Sequence, residues 1–271
     1  MSSPHLPQEI LDHIIDFLHN EPETLKQCCL VSKLWIPRAR KHLFGRVRFT
    51  SANDLESWKK TFPDPSNSPS YYTHTLVIGR TRAIMEADSR VGGLVQTFPR
   101  IVQLRLGGVG TDNSPNTLGN LEKIPLAPFH NFASTLKSLH VGGIHLPCPQ
   151  TFSLIRLFPL LEDLSLSGSN KLLGGDHGYD PHEPQTIVPP TSPPFTGTLY
   201  LQIFRGVGDM VRYLLDLPKS LHFRRLSLSW DHVGDLRWMT ELVARCADTL
   251  EYLTLACYPP CAFVLVIGPE P

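Results

Sequence analysis

LLEDLSLSG (160–168) and FRRLSLSW (223–230) carry one kernel, Leu-x-Leu, and five further segments share its form. They are HTLVIG (74–79), RIVQLRLGG (100–108), TLKSLHVGG (135–143), TGTLYLQIF (196–204) and TLEYLTLAC (249–257). The first Leu of each kernel falls at 76, 104, 139, 164, 199, 226 and 253, in steps of 28, 35, 25, 35, 27 and 27. Apolar residues at every second position mark a strand with one buried face. Recurrence at a nearly fixed step marks a stacked array in which each unit buries its apolar face against the next. Leu104/Leu106 and Leu226/Leu228 then share one core, and the residues beside them point outward.

Helix-compatible pieces lie between the kernels: Leu94 to Phe98, Phe152 to Phe158, Met210 to Leu217 and Leu236 to Ala247. Phe98-Pro99 and Phe158-Pro159 stand directly before a kernel, where Pro stops a helix and biases the residue before it to extended geometry. Each unit reads as helix, turn, strand. The Gly107-Gly108 and Gly142-Gly143 pairs read as turns after strands. The shorter steps fit the leucine-rich-repeat period, and the two longer ones need one loop insertion each. A regular Asn after the kernel is missing, so the repeats are degenerate. The alternative left open is an irregular α/β domain whose strands are merely rich in Leu.

Residues 4–49 are organised differently. Pro7 suits a first helical turn, Glu9 suits its dipole, and Ile10, Leu11, Ile14, Ile15 and Leu18 form an amphipathic stripe with Asp12, His13 and Asp16 off it. Pro22 and Glu23 open a second helix to Leu30 and Val31. Ser32 is placed to cap a third, with Trp35, Ala39 and Leu43 on one face and Pro37 bending or restarting it. Three short helices cannot bury this much apolar surface among themselves.

LPQEILDHIIDFL, LKQCCLVSKLW and ARKHLFGRVRF, in that order, closely resemble the F-box. The resemblance covers the first sixth of the chain and implies docking to the Skp-type adaptor of a cullin–RING (SCF-type) ubiquitin ligase. It implies that Leu6, Pro7, Ile10, Leu11, Ile14 and Leu18 supply apolar contact with the adaptor. Leu30, Val31 and Trp35 would be shared between that contact and the module's own core. Residues 193–253 resemble the repeat region of an F-box family expanded in mushroom-forming fungi. A helical cap that packs only on its own C-terminal domain is the alternative to adaptor docking.

The expected architecture is thus α/β: a three-helix F-box over 4–49, a linker over 50–73 and a leucine-rich-repeat-like solenoid over 74–258. A long Pro- and Gly-rich loop spans 169–195 and a tail spans 259–271. The expected function is substrate recognition within the ligase, ahead of proteasomal degradation, with a target held on outward strand positions. Those are Gln103, Arg105, His140, Asp163, Ser165, Tyr200, Gln202, Arg225, Ser227, Tyr252 and Thr254, and Arg and Tyr among them are favoured hot-spot types. A repeat-type interaction module acting outside any ligase is the alternative.

Twenty-five basic residues balance twenty-five acidic ones, which gives no global attraction to nucleic acid or an anionic membrane. The N-terminus shows no signal-peptide pattern, and no apolar run is long enough for a bilayer span. Six cysteines, at 28, 29, 148, 246, 257 and 261, form no C-x-x-C pair, which fits a reducing cytoplasmic or nuclear compartment. Cys257 and Cys261 could bridge, but two thiols are the simpler reading. Lys33, Arg38, Arg40, Lys41, Arg46 and Arg48 form an acid-free run, read for the most part as a solvated face. Asp176, His177, Asp180, His182 and Glu183 in the long loop match no metal-ligand frame. No nucleophile elbow, phosphate loop or dinucleotide fingerprint occurs, so neither a catalytic role, a metal nor a cofactor is expected.

Overall fold

The computed structural model of the chain describes residues 7–64, 67–79, 93, 95–107, 126–144, 149–168, 194–203, 207–217, 220–230, 233–257 and 263–268. Three helices open it: α1 (Gln8–Phe17), α2 (Pro22–Val31) and α3 (Ile36–Phe44). Pro22 and Pro37 both sit in the first turn of their helices, where a missing N–H leaves no ladder bond unmade. Pro37 therefore starts α3 and does not bend it. The Ser32 hydroxyl accepts from the Leu34 N–H at 3.3 Å and so shapes the turn before α3 without capping it.

A nine-stranded sheet follows in strict chain order: β1 (Arg46–Phe49), β2 (Thr75–Ile78), β3 (Gln103–Gly107), β4 (Ser138–Ile144), β5 (Asp163–Gly168), β6 (Thr198–Ile203), β7 (Arg225–Trp230), β8 (Tyr252–Cys257) and β9 (Phe263–Ile267). Neighbours from β1 to β8 are parallel, and β9 returns antiparallel to β8. Parallel neighbours need a crossover between them. In four steps that crossover carries an α-helix, α4 (Ala52–Thr61), α5 (Pro149–Leu157), α6 (Val207–Asp216) or α7 (Leu236–Cys246), and between β3 and β4 it holds a 3-10 helix, Ala127–Phe132.

The seven kernel leucines fall in one register row. Leu76 pairs Leu104, then come Leu139, Leu164, Leu199, Leu226 and Leu253. All seven are buried. Phe98, Phe129, Phe132, Phe158, Phe195 and Phe223 fill the layer behind them. The strand feet repeat a second device. One carbonyl accepts two successive N–H groups of the next unit: Gly45 from His74 and Thr75, His74 from Val102 and Gln103, Val102 from Lys137 and Ser138, Lys137 from Glu162 and Asp163. Gly197 and Arg224 do the same further on.

The sheet is longer than the kernels announced. Val47 pairs Leu76, so the first strand lies inside the segment assigned to the helical module. The expected linker over 50–73 holds α4 (Ala52–Thr61), closed by a capping box in which Ser51 accepts from the Asp54 N–H and Asp54 accepts from the Ser51 N–H. Trp58 of α4 sits among Phe44, Phe49, Phe62 and Phe98, with ring centroids 4.8–6.2 Å away, which ties the helical module to the sheet. Part of the expected tail is strand β9. Gly142 and Gly143 lie within β4, whose register shifts there, and so do not form a turn. Residues 169–193 of the long loop, with its acids and histidines, lie outside the described residues, as do Cys148 and Cys261. Among the described residues no helix is long and apolar enough to cross a membrane.

Candidate functional site

The three helices enclose a small core of their own, Ile15, Leu25, Cys28 and Ala39, with Leu18, Cys29, Trp35 and Leu43 packed around it. So small a core leaves apolar side chains over. On α1, Ile10, Ile14 and Phe17 stand at i, i+4 and i+7 and are 48%, 45% and 75% exposed. Leu30, Val31 and Leu34, around the α2–α3 turn, are 80%, 67% and 60% exposed. Leu34 also lines a cleft of ≈ 430 Å³ with Gln8 and Asp12, which sets it beside the first half of α1. A lone exposed Leu needs no explanation, but here six large apolar side chains are exposed on one helical module.

The sequence-derived set divides here. Ile10 and Ile14 are displayed, and Pro7 is exposed at the helix start. Leu11 is half-buried, and Leu18 and Trp35 pack on the module's core. Leu30 and Val31, expected to share in that core, face solvent instead, because α2 turns Leu25 and Cys28 inward. Leu6 lies outside the described residues. Phe17 and Leu34 were not in the set. Phe17 was legible as the i+7 partner of Ile10, whereas Leu34 sits in a turn that helical periodicity does not reach.

Electrostatics fix how the face is presented. Asp16 of α1 accepts from Arg38 Nε at 2.6 Å and from the same guanidinium's terminal nitrogen, and it contacts His42 Nε2 at 2.7 Å. Bonds from Arg38, then from His42, hold the Asp16 carboxyl well below the usual carboxylate range. One acid on α1 is thereby held by two side chains of α3. Arg38 is part of this joint, not of a solvated basic run.

The second surface is the outward face of the sheet. Register places Arg105, His140, Ser165, Tyr200, Ser227 and Thr254 in one row across β3–β8. Gln103, Asp163, Arg225 and Tyr252 stand one step toward the strand starts, and Gln202 one step beyond. All are half-buried except Arg225, which is exposed. No family model, curated protein or solved structure matches this chain. Within the face, His140 Nδ1 lies 2.6 Å from Ser165 Oγ, and the Tyr200 hydroxyl donates to Gln202 Oε1 at 2.7 Å. Burial, then the Arg105 cation, pushes the His140 imidazole below the ordinary histidine range. Asp163 is not displayed as a contact group: its Oδ1 accepts the Thr198 N–H at 2.6 Å.

Arg46 and Arg48 extend the same face. They pair with Thr75 and Val77 at the sheet's first edge and are exposed. Their sequence signal was the alternation Arg46-Val47-Arg48-Phe49, which repeats the kernel's polar–apolar pattern without its leucines. Among the described residues, no group of three His, Cys, Asp or Glu side chains is arranged to hold a metal ion.

Proposed function

We propose that the chain is a non-catalytic F-box subunit of a cullin–RING (SCF-type) ubiquitin ligase. In this reading α1–α3 dock to a Skp-type adaptor, and the sheet is a degenerate leucine-rich-repeat array that holds the target protein. The observation that carries it is the displayed apolar set of Ile10, Ile14, Phe17, Leu30, Val31 and Leu34, on a module with a closed core of its own. A cap folded only onto its own sheet would turn those side chains inward. Catalysis by such a subunit is proximity: it raises the concentration of target lysines near the ubiquitin-conjugating enzyme.

The test is co-expression of the full chain with a Skp-type adaptor, followed by size-exclusion chromatography. The double substitution Ile10→Asp with Ile14→Asp runs beside it. Both positions are about half exposed, so the fold tolerates the change, which circular dichroism checks. A stoichiometric complex lost in the variant supports adaptor docking. A folded wild type that never binds refutes it and leaves a free-standing repeat-type interaction module.

A further inference from the structure

We infer that the outward sheet face binds an acidic polypeptide segment laid across the strands, with one of its carboxylates seated on Arg105 between Val77 and His140. This rests on the reading of that face as the target-binding surface, and it names the chemistry of the target.

The charge on the face carries the inference. Its described strand positions hold four guanidiniums, Arg46, Arg48, Arg105 and Arg225, of which Arg48 is already engaged, and one carboxylate, Asp163. That carboxylate already accepts the Thr198 N–H. The face is therefore basic although the whole chain carries equal numbers of basic and acidic residues. A local excess of one sign on a polar surface selects and steers a partner of the other sign.

Arg105 supplies the second observation. Its Nε has no access to solvent and finds no hydrogen-bond acceptor. A buried, unmatched donor on a charged group is costly, and because that nitrogen is closed to a ligand oxygen as it is to water, a carboxylate would meet the terminal nitrogens of the same guanidinium. On one side of it Val77 is fully buried, so the row offers no acceptor there. On the other side stands His140, with Ser165 beyond it. Planar guanidinium groups match planar carboxylates through two parallel bonds.

The site suits a carboxylate better than a phosphate. A dianion calls for a second cation at hand. Arg48 lies two strands away and Arg225 four, roughly 10 and 19 Å at ordinary strand spacing. His140 is held toward its neutral form. Single positive charges at such intervals fit single negative charges at intervals along an extended acidic chain.

Fluorescence anisotropy of a labelled hexaglutamate peptide against the full chain tests this. Hexaserine and a single-phosphoserine serine hexapeptide are the comparison probes, and Arg105→Gln and Arg224→Gln the comparison variants. Arg224 is exposed at the margin of the sheet and 3.7 Å from Glu251, so its loss should leave binding within about twofold. Arg105→Gln should weaken hexaglutamate about tenfold or more, as the loss of charge-assisted bonds requires. The His140 ring resonance of the wild type, assigned by its absence in His140→Gln, should move as hexaglutamate is added. That readout needs no folded Arg105 variant. Absence of hexaglutamate binding, preference for the phosphoserine peptide, equal loss in the two Arg variants, or an unmoved His140 resonance would each overturn the inference. Adaptor co-elution, measured on the same wild-type sample, separates this outcome from failure of the receptor reading.

Discussion

The Asp163 carboxylate accepts the Thr198 N–H at 2.6 Å and thereby completes the one step of the array whose backbone does not complete itself. At the β4–β5 step, Lys137 O accepts from both Glu162 and Asp163 N–H. At the next, Glu162 O accepts from Gly197 alone, and Asp163 takes the second donor. Gly197 makes room for this, since a Cβ there would stand 2.2 Å from Asp163 Oδ1. Asp163→Ala leaves the Thr198 N–H unmatched and should cost about 1–3 kcal/mol in urea unfolding. Asp163→Asn keeps an acceptor and should cost less. Gly197→Ala should destabilise by displacing the same carboxylate. Combined with Asp163→Ala it should cost less than the sum of the two, because both break one joint.

Asp16 and Arg38 join α1 to α3 in a comparable way. The folded-state pKa of Asp16 is depressed, so its contribution is fully present above the unfolded value of about 4 and is lost as pH falls through the folded value. About a third of each side chain meets solvent, which limits that contribution to roughly 1 kcal/mol. Asp16→Asn should therefore speed amide hydrogen exchange in α1 and α3 at neutral pH. The gap from wild type should narrow as pH drops below the ordinary aspartate range. A gap unchanged with pH would mean that shape, not charge, holds the joint.

The stack of the sheet was legible because its signal is periodic and redundant. Seven kernels predicted seven strands, and the register rows place every first leucine opposite the next. What escaped was the start, and the direction of the strand-sized apolar stretch at the end. Arg46-Val47-Arg48-Phe49 lacks leucine, and Phe263–Ile267 reverses direction, which no repeat announces. On the helical module, periodicity found the stripe that holds Ile10 and Ile14, while the share of Leu30 and Val31 in the module's core, expected from the F-box resemblance, is not there. Adjacent apolar residues at a helix end do not say which way the chain turns next. The roles of Asp16 and Asp163 depend on partners 22 and 35 residues away, which spacing cannot show.

Gly107 is the position where backbone conformation matters most. Its φ of 104° lies where side chains are disfavoured, and a Cβ would stand 1.7 Å from the Gly142 carbonyl oxygen of the neighbouring strand. Strain and clash add, so Gly107→Ala should cost more than about 2 kcal/mol by thermal or urea unfolding. Gly93→Ala is the control, since a Cβ there meets nothing within 4 Å, and it should be neutral or slightly stabilising. Equal effects would show that β3 and β4 separate readily at their ends.

Leu226 tests whether the leucine row acts as one core. It is fully buried, pairs Leu199 and Leu253 in register, and belongs to the single cluster that runs from Val47 to Leu253. Leu226→Ala removes packing on both sides at once and should cost about 2–5 kcal/mol, the range for a cavity in a core that cannot collapse around it. Ser227, one residue on, points to the opposite face, and Ser227→Ala should stay within about 0.5 kcal/mol. In a stack whose units touch only their neighbours, damage at β7 weakens β6 and β8 before β2 or β3. Hydrogen exchange on Leu226→Ala should therefore rise most in residues 198–203 and 252–257 and least in 75–78. Uniform acceleration across the sheet would instead mean that the array unfolds as one cooperative block.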